Sequence, residues 1–219
     1  MIRKKRWALA VALVSAMGFA LIMMSVLRDD VTDWDAWGQA NMAADASSGP
    51  SIWLSAVNLL GSTAAFGAIT IAGSVMVWAL RRRKEAVALL VTVAAAYLLN
   101  TAVKLWVGRE RPLHEGWIDA SGFSFPSGNA TVGMVVYGML SYILVRSIRT
   151  RWGQWAIISA GALMILGVGY SRVYFGVHYI TDIAAGYLAG LFCISTAFLI
   201  IRDKRTASSG YRYISSYRN

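Results

Sequence analysis

The sequence predicts an all-α protein, a single bundle of six membrane-spanning helices. Three observations predict it. The 219-residue chain is 57% hydrophobic with a mean hydropathy of +0.53, well above the range of a water-soluble domain. Six apolar runs lie at about 7–27, 53–80, 86–107, 127–147, 154–171 and 180–201, each near the roughly 20 residues that a bilayer crossing needs. The basic residues collect in alternate connections between these runs.

The first run follows a basic start, MIRKKRW, and is long enough to be an uncleaved first span. The second is longer than a crossing requires and is expected to tilt or to begin in the interface. The connection 28–51 carries Trp34, Trp37 and Met42. It reads either as a short helix lying in the membrane interface or as a solvated loop anchored by two tryptophans.

Arg3, Lys4, Lys5 and Arg6, the basic run 81–84, Arg146, Arg149 and Arg151, and the tail residues Arg202, Lys204, Arg205, Arg212 and Arg218 make up most of the 21 basic residues. With six alternating spans all of them fall on one side. The positive-inside rule then places both termini in the cytoplasm, with loops 28–51 and 108–126 facing outward. The expected home is a plasma (inner) membrane. The formal charge of +10 belongs to this pattern, and no nucleic-acid partner is inferred from it. The basic, aromatic tail 202–219 is expected along the anionic inner leaflet. The lone Cys193 excludes a disulfide framework. Residues 1–219 are read as one domain, with no obligate protein partner.

Charges at span ends carry the functional signal, because an ionisable group within the membrane costs roughly 2.5–3.5 kcal/mol at mid-depth. Lys104, Arg111, Arg172, His178 and Asp182 all fall at the outer ends of the third, fifth and sixth spans or in adjoining loops. A Lys or Arg taken singly can snorkel. A His and an Asp cannot, and three cations beside one carboxylate leave room for an incoming phosphate. His178 and Asp182 stand at i and i+4, on one helical face. A carboxylate on one imidazole nitrogen leaves the other free to attack. In FPSGN (125–129), a helix opening at Pro126 would turn the N–H groups of Ser127, Gly128 and Asn129 toward an anion.

Three segments together resemble the signature of the type 2 phosphatidic acid phosphatases, a family related to the vanadium haloperoxidases. They are KLWVGRERP (104–112), PSGN (126–129) and SRVYFGVHYITD (171–182). The first matches Lys-x6-Arg-Pro and the third matches Ser-Arg-x5-His-x3-Asp. The resemblance covers 104–182 and implies a six-span bundle with an extracytoplasmic site. It implies that His178 attacks phosphorus to form a phosphohistidine and that Asp182 orients its ring. Lys104, Arg111 and Arg172 would neutralise the phosphate oxygens, with Ser127 and Gly128 completing the cradle. It implies no metal and no other cofactor. The substrate class it implies is a lipid phosphate, held by its tail among membrane lipids.

Asn129 departs from the pattern. The family's second motif ends in a histidine that protonates the leaving oxygen, and an amide has no proton to give. Acid catalysis is typically a 10²–10⁴-fold effect. Three explanations are open. A polyprenyl diphosphate expels a phosphate monoester, whose second pKa is roughly 6, and needs no acid, leaving Asn129 to hold the oxygen by a hydrogen bond. His114, beside Glu115, is a candidate alternative acid. Or Asn129 inactivates a phosphatidylglycerophosphate or phosphatidic acid phosphatase. Two further functions compete: phosphotransfer between lipids, and non-catalytic binding of a lipid phosphate.

Overall fold

A computed structural model of the chain describes residues 2–43, 51–112, 118 and 120–200. His114, Glu115 and the tail 202–219 lie outside the described residues. The described chain is all helical: α1 (Ile2–Leu27), α2 (Thr32–Met42), α3 (Ile52–Leu60), α4 (Thr63–Ala79), α5 (Arg83–Val107), α6 (Gly128–Val145), α7 (Arg151–Tyr174) and α8 (Ile180–Ile200). Five of these, α1, α5, α6, α7 and α8, are long and apolar enough to cross a membrane.

The expected second span, 53–80, is broken. α3 and α4 meet at a 59° bend and complete a sixth crossing only if the bent pair counts as one. The break has a local cause. The Gly61 N–H closes α3 on Val57 O at 2.9 Å, and Ser62 then caps α4 by accepting from Ala65 N at 3.2 Å. Two competing caps at adjacent residues end one helix and start the next. In loop 28–51 the helical alternative is the one observed, as α2.

Helix ends are set by the same chemistry elsewhere. Gly108 adopts φ +66° and donates to Lys104 O at 3.0 Å, stopping α5 at Val107, one turn after Lys104. Thr150 and Ser127 cap α7 and α6 through their hydroxyls. α6 sits at the centre, packed against α4, α5, α7 and α8, while α1 lies along α8. In lipid there is no hydrophobic drive between helices, so close approach relies on small residues. Gly186 and Gly190 supply it: a Cβ on Gly186 would stand 2.7 Å from Ala130 Cβ, and one on Gly190 would stand 2.8 Å from Thr131 O.

This packing brings together the C-terminal ends of α5 and α7, the N-terminal ends of α6 and α8, and helix α2. Lys104, Arg111, Arg172, His178 and Asp182 all lie at that end.

Candidate active site

His178 lies in the bend between α7 and α8, two residues before α8 begins. The i, i+4 spacing predicts one helix for His178 and Asp182, and the structure leaves His178 outside that helix. The contact is nevertheless made, because Asp182 sits in the first turn of α8 and reaches back. Its Oδ2 accepts from Tyr179 N at 2.9 Å and lies 3.3 Å from His178 Nδ1. Asp182 is fully buried and His178 is 2% exposed. A buried carboxylate needs its lone pairs filled. Here Ser124 Oγ donates to Oδ2, and Arg109 Nη1 pairs with Oδ1 at 2.8 Å.

The other ring nitrogen faces a cation, with Arg111 Nη1 3.4 Å from His178 Nε2. Guanidinium has only donors, so the partners select the tautomer: Nδ1–H toward Asp182, and the Nε2 lone pair toward Arg111. Burial pushes the His178 pKa down to about 4, against the opposing pull of Asp182, and the charges of Arg111 and Lys104 add to the fall. The ring is therefore neutral at ordinary pH. Burial also lowers the Arg111 pKa, with Asp182 partly restoring it.

Loop carbonyls aim the cations. Arg111 donates to Gly122 O (2.9 Å), Ser121 O (3.0 Å) and Val177 O (2.7 Å). Lys104 Nζ donates to Phe123 O and to Ser124 O, the latter at 3.1 Å. The strand of chain just ahead of the Pro-Ser-Gly turn is thus a rack for the first motif. Arg172, 8% exposed, donates through Nη2 to Asn58 O at 3.0 Å, while its Nε has no hydrogen-bond partner among the described residues.

The turn at 126–129 differs from the expectation. α6 begins at Gly128, with Pro126 ahead of it and Ser127 as its cap. The Ser127 N–H is not free for an anion, because it donates to Asp182 O at 3.1 Å. Its hydroxyl accepts from Ala130 N at 3.4 Å, and the residue is fully buried. Among the described residues the first-turn N–H groups of Gly128 and Asn129 have no hydrogen-bond partner. Asn129 Nδ2 donates to Gly61 O at 2.6 Å, at the α3–α4 break. The amide is tied to that break.

Sequence reasoning missed four contributors. Arg109 bridges Asp182 and Asp35. Asp35 itself is 2% exposed on α2. Ser124 lies between Asp182 and the His178 ring. Asn100, buried on α5, donates to Pro126 O and to Thr131 Oγ1, both at 3.2 Å, and so holds the turn in place. Only Arg109 carried a sequence signal, as the first arginine of RERP. Among the described residues no three His, Cys, Asp or Glu side chains converge as a metal site would require.

A family model described as the PAP2 superfamily matches residues 85–206, more than half of the chain. The chain belongs to the PAP2 superfamily. The match takes in most of α5, all of α6, α7 and α8, and Lys104, Arg109, Arg111 and Arg172. One similar PAP2 relative is phosphatidylglycerophosphatase B of Bacillus subtilis (strain 168), 35% identical over 113 residues, or 51% of this chain and 55% of that protein. Another is the lipid A 4'-phosphatase of Porphyromonas gingivalis, 41% identical over 69 residues, 32% of this chain and 26% of that one. The chain thus aligns with about half the length of the first and a quarter of the second. In fold it is similar to the crystal structure of a transmembrane PAP2-type phosphatidylglycerolphosphate phosphatase from Bacillus subtilis. The TM-score is 0.75 at 24% identity, over 88% of this chain and 98% of that one. The apolar helices and this membrane PAP2 neighbour make the chain a multi-pass membrane protein.

Proposed function

We propose that the chain is a membrane lipid phosphatase that works through a phosphohistidine on His178. The arrangement of that ring carries the reading: a neutral imidazole, held at Nδ1 by Asp182, presents Nε2 beside Arg111. In the proposed reaction Nε2 attacks the terminal phosphorus, and the bond from phosphorus to the bridging oxygen breaks. The leaving group departs with the electron pair. Water then cleaves the phosphorus–nitrogen bond, giving inorganic phosphate and the free ring. Lys104, Arg111 and Arg172, with the first-turn N–H groups of Gly128 and Asn129, neutralise the phosphoryl oxygens, and Ser127 holds that turn. The positive-inside pattern supports placing this end of the bundle on the outer face of a plasma membrane, at headgroup depth.

The favoured substrate is a polyprenyl or similar lipid diphosphate. Asn129 occupies the position of the expected acid; one of its two amide N–H groups is given to Gly61 O, and neither can be transferred as a proton. A leaving group that departs unprotonated suits such a site. A phosphate monoester, with a second pKa of roughly 6, does so readily. An alkoxide, nearer the roughly 15.7 of water, does not. The phosphatidylglycerophosphatase relative favours a second reading, hydrolysis of a lipid monophosphate. Release of inorganic phosphate by the purified protein from a polyprenyl diphosphate, set against phosphatidylglycerophosphate and phosphatidic acid in the same micelles, separates them. Faster turnover of either monoester overturns the diphosphate assignment.

A further inference from the structure

The short helix α2 is bolted to the reacting pair. Asp35 Oδ2 lies 2.5 Å from Arg109 Nη2, whose Nη1 pairs with Asp182 Oδ1 at 2.8 Å and donates to Thr181 Oγ1 at 2.9 Å. Asp35 also accepts from Thr181 N at 3.1 Å and from its hydroxyl at 2.8 Å. The Arg109 guanidinium lies 4.0 Å from the Tyr179 ring centroid, which fixes its plane. One helical turn on, Gln39 Nε2 donates to the carbonyl of His178 at 3.1 Å, and Gly38 lets Ile180 close against α2. Burial works against the Arg109 charge, but Asp182 and Asp35 outweigh it and hold its pKa above the ordinary value.

We propose that Arg109 and Asp35 are positioning residues for His178 and Asp182, so that α2 is a working part of the reaction site. The argument is geometric. Asp182 turns Oδ2 toward the ring, where Tyr179 N and Ser124 Oγ donate to it, and its orientation is fixed fully once Oδ1 is held as well. Arg109 holds it, in a fork that engages two carboxylates at once. Asp35 in turn balances a guanidinium that would otherwise compete with His178 for Asp182. The proposal rests on the phosphohistidine reading for its kinetic consequence, but not for its structural one.

Among the described residues the charged groups facing the ring are Asp182 from α8, Lys104 from α5 and Arg111 from the segment after α5. Arg109 acts on it through Asp182. Arg109→Gln removes a positive charge from that chain, so the His178 titration moves to higher pH. Asp35→Asn removes a negative one and moves it to lower pH. The pair together, Asp35→Asn with Arg109→Gln, returns it toward the starting value.

The readout is NMR of ring-labelled histidine in detergent-solubilised full-length protein. The chain holds only two histidines, so His114→Ala assigns both signals. This arm needs no turnover and survives failure of the phosphatase reading. The kinetic arm expects each single variant to lose about 10–100-fold in kcat with KM little changed. Opposite titration shifts with a kcat loss support the proposal. Opposite shifts in a protein that hydrolyses no lipid phosphate, wild type included, overturn the phosphatase reading and leave the positioning geometry standing. Unshifted titrations, with full kcat per folded molecule, overturn the proposal.

Should Arg109→Gln fail to fold, Arg109→Lys serves, since it keeps the charge but cannot fork. Adding Asp35→Asn to it is then expected to cost little more, because the bridge is already broken. Fully multiplicative losses overturn the coupling.

Discussion

Arg111 Nη1 stands 3.4 Å from Nε2 of His178, on the side of the ring opposite Asp182. The lone pair that would attack phosphorus therefore points at a charge that would hold the phosphoryl oxygens. Arg111 is fixed there by three carbonyls, Ser121, Gly122 and Val177, before any substrate arrives. Such preorganised donors cost no rearrangement during reaction. Arg111→Ala is expected to lower kcat by about 10²–10³-fold. Arg111→Lys is expected to recover only part, because an ammonium cannot reproduce the fork. Steady-state phosphate release checks both, and an Arg111→Ala variant with full kcat refutes the role.

Restoring the missing acid separates the two substrate classes. Asn129→His is expected to raise monoester hydrolysis by about 10²–10⁴-fold. Diphosphate turnover should change by no more than a few-fold, since its leaving group needs no proton. If the substitution rescues both classes equally from a silent wild type, Asn129 is an inactivating residue.

The pH dependence follows from the buried ring. His178 has a folded pKa of about 4, below the ordinary 6.5. Only the neutral ring can attack, so turnover should hold from neutral pH into mild acid and fall as pH approaches 4. Stability moves in the same direction. The unfolded chain takes up the proton first, so the contribution is complete above pH 6.5 and is lost as pH falls through 4. Thermal unfolding in detergent should weaken across that window, and His178→Gln should flatten the weakening. An acid limb near the ordinary imidazole value would show the ring to be solvated.

Packing between α6 and α8 supports the turn at 126–129. A Cβ on Gly186 would meet Ser127 O at 2.8 Å and Ala130 Cβ at 2.7 Å, and backbone cannot swing aside as a side-chain tip can. Gly186→Ala is expected to cost about 1–3 kcal/mol and to slow turnover by shifting the capped start of α6. Gly67→Ala, in open space on α4, is the matched control and should be neutral on both counts. Thermal unfolding and phosphate release, measured together, check the pair.

The apolar runs made the helices legible, because length and hydropathy report a span. The break at Gly61 and Ser62 was not, since its cause is a pair of cap hydrogen bonds within a stretch apolar enough overall to read as one span. The cations and the His178–Asp182 pair were legible because charge is costly where they sit. Arg109 and Asp35 were not. Asp35 lies in a loop already rich in acids, and no spacing distinguishes the one aspartate that packs under Arg109 from its solvated neighbours. Asn129 was recognised as a departure, but its partner, Gly61, is distant in sequence and offers only a backbone carbonyl. A contact of that kind leaves no trace in side-chain pattern.

The most direct test of the central claim is to trap the covalent intermediate. Protein mixed with a lipid diphosphate radiolabelled at its terminal phosphate, then quenched in base, should carry label that is stable to alkali and lost in acid. Peptide mapping should place it on His178, and His178→Ala should carry none. Continued phosphate release by His178→Ala, or label on any other residue, would contradict the account.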